Sequence, residues 1–183
     1  MDILINILLG IGIALVALLA ISATRPNRFE VSRSLTIAAT PEQIYPHIAD
    51  LRAMNVWNPF ALSDPTAVTS YSEPSSGVGA RHTFAQARSC VGNIEVTEAV
   101  APSNVAFRLI MTKPMAGDNE IRFTLAPKGS STDVTWTMSG NVPLLAKVMH
   151  LFVSADRMCG GEFEKGLAKL SDIVLLERQR RHA

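Results

Sequence analysis

The chain has 183 residues, a formal net charge of +1 and a mean hydropathy of +0.20. That length suits one domain with a real core plus an appended segment, and the near-neutral charge argues against nucleic acid as a partner. The cysteines, Cys90 and Cys159, match no metal or redox spacing and read as buried or half-buried thiols.

Ile3 to Ala23 is continuous and uncharged, with Asn6 and Ser22 its clearly polar residues. About 20 residues at ~1.5 Å each span a hydrocarbon core about 30 Å thick. Residues 1–24 are therefore expected to form a transmembrane anchor, with residues 3–23 in the bilayer. A cleaved signal peptide is the competing reading, left open by Ala20, Ser22 and Ala23. Only Asp2 and the terminal amine precede the apolar run, where a signal peptide carries a basic region. Arg25, Arg28 and Arg33 follow the span, which by the positive-inside rule places the C-terminal domain in the cytoplasm, as for a single-pass protein of a bacterial inner membrane. Residues 25–28 form a linker opened by Pro26.

Phe29, Val31, Leu35 and Ile37 alternate with polar residues and predict a half-buried first strand, whose apolar face Arg33 interrupts. Thr40-Pro41-Glu42-Gln43 combines an N-cap, a proline at the first helical position and a reach-back glutamine. A short helix is expected to about Asp50, bent or cut near Pro46, then a second helical piece over Leu51 to Val56. Ala61 to Pro65 looks like loop. Strands are expected at Val68–Glu73, Gly79–Ala87, Gly92–Val100, Val105–Met111, Ile121–Leu125 and Val134–Met138. Their short turns imply an antiparallel meander with one wet face, carrying Arg108, Arg122, Thr135 and Thr137. Leu144, Leu145, Val148, Met149 and Phe152 then form one apolar helical stripe. It reads either as a lead-in packed on the core or as a face touching a cavity or membrane. A C-terminal helix is expected from Asp156 to Arg178. Its apolar residues, Cys159, Phe163, Leu167, Leu170 and Val174, alternate in fours and threes. Ser154 or Asp156 would cap it, and 179–183 would be a basic tail.

The order strand, two short helices, six strands, long helix resembles the helix-grip fold of the START/SRPBCC superfamily. The likeness is to its polyketide cyclase/dehydrase and lipid-transport group, among bacterial members with one N-terminal membrane helix. It is carried by Thr40-Pro41-Glu42-Gln43-Ile44-Tyr45-Pro46, Trp57-Asn58-Pro59-Phe60, Gly77-Val78-Gly79-Ala80, Val134-Thr135-Trp136 and Phe163-Glu164-Lys165-Gly166-Leu167. The resemblance implies an α+β domain over 29–178, a START-like curved antiparallel sheet wrapped on the long helix. It also implies a hydrophobic ligand cavity between them. The chain departs where Phe60 and Phe84 stand at positions often occupied by tryptophan, which bears on ligand shape.

Parity places Phe84, Phe107, Met111, Phe123, Trp136 and Phe163 inside, and the candidate cavity residues are these with Trp57, His82 and Leu167. They either fill a core or line a pocket for a lipid, polyketide or quinone-like molecule. His82 is the weak catalytic candidate: either a satisfied rim histidine or a proton carrier to a bound carbonyl compound. Glu95, Arg108, Arg81 and Arg88 fall on the surface, and Asp64 and Asp156 at loop or cap positions. His47, His82, His150 and His182 have no zinc spacing, and neither a nucleophile elbow nor a phosphate loop is present. No cofactor and no metal are expected. Binding or transport of a hydrophobic small molecule, of lipid, polyketide or quinone-like class, in that cavity at a membrane is the leading reading. The rivals are a cyclase/dehydrase-type enzyme using the same cavity and a co-chaperone-like interaction module.

Overall fold

The computed structural model describes residues 2–86, 90–113, 116–142, 147–148 and 154–182. The N-terminal apolar run is one helix, α1 (Asp2–Ala23). Ile5, Ile7, Leu9, Ile11, Ile13 and Val16 are each more than half exposed. A helix of a soluble core would bury such residues. By length and composition α1 is long and apolar enough to cross a membrane, with a mean hydropathy of 2.6 over Ile5–Ala23.

Among the described residues seven strands make one antiparallel sheet in the order β1-β7-β6-β5-β4-β3-β2. They are β1 (Arg28–Ile37), β2 (Val68–Tyr71), β3 (Arg81–Ala85), β4 (Val91–Val100), β5 (Asn104–Lys113), β6 (Gly117–Lys128) and β7 (Ser131–Asn141). β1 pairs with β7 from Arg28↔Asn141 to Ile37↔Thr132, which adds the first strand to the end of the β2–β7 meander and leaves β1 and β2 as the sheet's edges. The starts of β1, β2, β4 and β6 and the ends of β3, β5 and β7 therefore share one edge, the edge where α1 joins. We call it the anchor end.

Between β1 and β2 lie α2 (Pro41–Ala49), α3 (Leu51–Trp57) and α4 (Pro59–Leu62). The Thr40 N–H donates to Gln43 Oε1 at 3.1 Å, the reach-back expected of that tetrapeptide. α2 continues through Pro46 rather than being cut there, although the ring removes the N–H that would bond to the Glu42 carbonyl, and it ends three residues later at Ala49. Asp50 caps α3 by accepting from the Arg52 and Ala53 N–H groups. The segment expected as loop from Ala61 begins as the end of α4: Asn58 accepts from Phe60 N–H and Pro59 occupies the first turn. The expected apolar stripe at 144–152 lies outside the described residues except for Val148.

The C-terminal helix, α5 (Ala155–His182), runs on through the residues expected as a tail. Ser154 Oγ accepts from Arg157 N–H at its start. Phe163, Leu167, Leu170 and Val174 are at most 2% exposed and Cys159 is half-buried, so the five-residue stripe faces the sheet. Close approach depends on Gly166, where a Cβ would lie 2.8 Å from Trp136 and 2.9 Å from Pro59. Arg33, which breaks the apolar pattern of β1, reaches this helix. Its guanidinium donates to Asp156 Oδ1 and to Glu164 Oε1, each at 2.7 Å. Those bonds raise the Arg33 pKa and hold Asp156 below the usual carboxylate range. At the opposite end Arg178 donates to the Ala38 carbonyl at 2.5 Å. The fold is thus a curved antiparallel sheet gripping one long helix.

Candidate functional site

The inner face of the sheet is not uniform. Away from the anchor end, Ile37, Val105, Leu125, Val134, Ile44, Ile48 and Leu170 are all at most 1% exposed. Across the middle, the sequence-predicted residues Trp57, Phe107, Phe123, Trp136, Phe163 and Leu167 form one block, also buried. Trp136 lies face to face with Phe163 at 4.1 Å between centroids, and its ring meets Trp57 edge-on at 5.6 Å. Phe123 joins Trp57, Trp136 and Phe107 at 5.8, 5.0 and 6.2 Å. Such aromatic pairs each add about 0.5–1.5 kcal/mol beyond their buried area. One group in the block is unsatisfied: the indole Nε1 of Trp136 is buried with no hydrogen-bond partner among the described residues.

Toward the anchor end the cover thins. Phe29, Phe84, Leu109, Met111 and Met138 point inward but are only half-buried. Leu62 of α4 (45% exposed) and Met158 near the start of α5 (60%) are exposed apolar residues. Gly92 supports this half. A Cβ there would lie 2.4 Å from the Ile110 carbonyl oxygen, 3.1 Å from the Phe84 ring and 3.2 Å from Met111 Sδ. The missing side chain lets Phe84 and Met111 lie across β4. Cys159 faces the same region. Burial first, then the charges of Asp156 and Glu162, push its thiol above the ordinary value, so it is protonated at neutral pH and a poor nucleophile.

His82 sits on β3, one strand in from the β2 edge of the sheet, 4% exposed. It stacks on Tyr71 at 4.5 Å between centroids and touches the Phe84 ring at 5.7 Å. The Asn55 amide nitrogen donates to the Tyr71 hydroxyl at 2.7 Å and lies 3.1 Å from His82 Nδ1. Arg52 covers the other face of Tyr71, 4.6 Å from its centroid. Burial pulls His82 down to about 4, so the ring is neutral at pH 7. A neutral imidazole with that basicity accepts a hydrogen bond but is a weak proton carrier. Asn55 and Tyr71, its partners, were not singled out in the sequence. Their spacing of 16 residues carries no local signal; only the fold brings them to one imidazole.

A larger crevice, about 500 Å³, lies on the outer face of the sheet. Apart from Arg28, which donates to Ser139 Oγ at 3.3 Å, its charges are paired internally: Arg108 with Asp118 at 2.6 Å, and Arg122 with Glu120 at 2.8 Å and Glu98 at 3.0 Å. Glu95 is likewise paired with Arg81 at 2.5 Å, as outward parity implied. Among the described residues no cluster of three or more His, Cys, Asp or Glu could hold a metal ion.

A search of curated proteins found no match. Among solved structures the chain is similar to a norcoclaurine synthase point mutant of Thalictrum flavum in complex with a transition-state analogue (13% identity, 82% of this chain and 96% of that one, TM-score 0.62). It is similar also to a protein of Chromobacterium violaceum (19%, 82% and 98%, 0.57) and to the Aha1 dimer of Colwellia psychrerythraea (19%, 80% and 96%, 0.57). At these identities the likeness is of fold. Residues 28–174, which carry the sheet, the aromatic block and the gripping helix, match the family described as polyketide cyclase / dehydrase and lipid transport, and the chain belongs to that family.

Proposed function

We propose that the domain binds a hydrophobic small molecule, of lipid, polyketide or quinone-like class, against the open half of its inner face, and that α1 holds it at a membrane. The observation that carries this is the gradient of burial. The inner face is sealed at one end, whereas Phe84, Leu109, Met111 and Met138 stay half-covered at the other. Completing the burial of one such side chain is worth roughly 1.5–3 kcal/mol, so a guest spanning several gains enough to bind. The exposed apolar surface of α1 supports the anchor, and Arg25 and Arg28 support a cytoplasmic domain.

Native mass spectrometry of the full chain, released from its own membrane, tests the reading. A co-purifying apolar compound is expected, and Met111→Asp or Phe84→Asp should abolish it. A chain that carries no adduct and takes up no fluorescent fatty acid would sink the proposal. The enzymatic rival needs His82 to move a proton. His82→Ala that keeps binding but stops turnover of a bound carbonyl compound would favour it over carriage.

A further inference from the structure

The linker after α1 is gripped by a residue from far along the chain. Lys147 is 6% exposed. Its Nζ donates to the Arg25 carbonyl at 2.8 Å and to Asn27 Oδ1 at 2.6 Å. The Val142 N–H donates to the Asn27 carbonyl at 2.8 Å, extending the β1–β7 pairing to the linker. Between them is a crevice of about 160 Å³ lined by Arg25, Pro26, Arg28, Phe29, Val142 and Lys147. Among the described residues neither Arg25, Arg28 nor Lys147 pairs with a carboxylate. The Lys147 ammonium therefore meets only neutral acceptors, with one N–H left over. A buried charge without a counter-charge is costly. Three cations around one small crevice suit an anion with several acceptor oxygens. Position narrows the anion. The crevice abuts the apolar helix and has apolar walls in Phe29 and Val142, so a phosphate there would carry its acyl chains alongside α1.

We infer that this crevice binds the phosphate headgroup of an anionic membrane lipid. The inference rests on the reading of α1 as an anchor. The bound headgroup fixes the linker against the bilayer surface.

The test uses the full chain in nanodiscs of phosphatidylcholine containing a minor fraction of phosphatidylglycerol, followed by transfer to neutral detergent and native mass spectrometry. Phosphatidylglycerol should be retained several-fold over phosphatidylcholine. The double variant Arg25→Gln/Arg28→Gln, which leaves the Lys147 hydrogen bonds in place, should lose that preference by roughly five-fold per cation with unchanged melting. Lys147→Met should lose it too, and the double variant decides if that chain fails to fold. Wild type without the preference, or a double variant that keeps it, overturns the inference. So does inorganic phosphate that binds in pure phosphatidylcholine nanodiscs and displaces the lipid adduct, because the site would then serve a free anion. Uptake of fluorescent fatty acid is measured on the same samples. Loss of that uptake with the lipid preference intact defeats the cavity reading and leaves this one standing. Release of the chain from membranes by alkaline carbonate removes the anchor on which it rests.

Discussion

The two tryptophans offer a matched comparison. Both are buried, 1% exposed at Trp57 and 3% at Trp136, and they touch each other. They differ at one atom. Trp57 Nε1 donates to the His47 carbonyl at 2.9 Å, whereas Trp136 Nε1 has no partner. Replacing either by phenylalanine removes the same volume, so transfer and cavity terms largely cancel between the variants. At position 57 the change deletes a hydrogen bond worth about 0.5–1.5 kcal/mol; at position 136 it deletes an unsatisfied donor whose burial costs about 1–3 kcal/mol. The two effects have opposite sign. Trp57→Phe should therefore be the more destabilising by roughly 2–4 kcal/mol. Urea unfolding of the full chain in micelles, followed by far-UV circular dichroism, measures the difference. Equal losses, or a larger loss for Trp136→Phe, would mean that the second indole is hydrogen-bonded in solution and would refute the accounting.

Gly92→Ala forces a methyl against the Ile110 carbonyl and into the Phe84 and Met111 contact. It should lower stability by about 1–3 kcal/mol and weaken uptake of an apolar probe, and a variant that melts and binds like wild type would contradict the close packing. His82 titrates near 4 in the folded chain against the usual 6.5. Its contribution is therefore intact above about pH 6.5 and declines as pH falls toward 4, by about 3 kcal/mol in total, because the unfolded chain takes the proton first. A pH series of unfolding midpoints in His82→Gln should lose that segment of the slope. Cys159 should react slowly with iodoacetamide at neutral pH, faster as pH rises and more slowly again with a guest bound. A rate matching a free thiol and indifferent to guest would place the side chain elsewhere.

Periodicity made much of this fold legible. The stripe Cys159, Phe163, Leu167, Leu170 and Val174 faces the sheet because 3.6-residue geometry leaves it no other way to bury. Strand parity placed Phe107, Phe123 and Trp136 inward for the matching reason. What escaped was non-local or masked by a stronger local habit. Asn58-Pro59 begins a helix, yet the short turn it opens has too few residues to show a period. Arg33 looked like a defect in β1 because its partners, Asp156 and Glu164, lie more than 120 residues away. The Asn55–Tyr71–His82 cluster and the Lys147 clamp are of that kind: each joins residues that share no spacing, only a place in the fold.

That place follows from counting strands. The chain enters β1 at the anchor end, and antiparallel pairing of β1 with β7 obliges β7 to finish there. β3 and β5 likewise finish there, and β2, β4 and β6 start there. The other ends of the strands and the lead into α2 lie opposite, where Ile37, Val105, Leu125 and Val134 are buried. The half-covered apolar residues and the cationic linker crevice therefore fall together at the end where α1 enters, as a consequence of strand order. A permutation that moved α1 to the C-terminus, beside Arg178, would leave the sheet pairing intact and carry the anchor to the sealed end. If such a chain still drew a lipid-soluble guest from vesicles as fast as the natural one, proximity of the open end to the bilayer would have no part in loading.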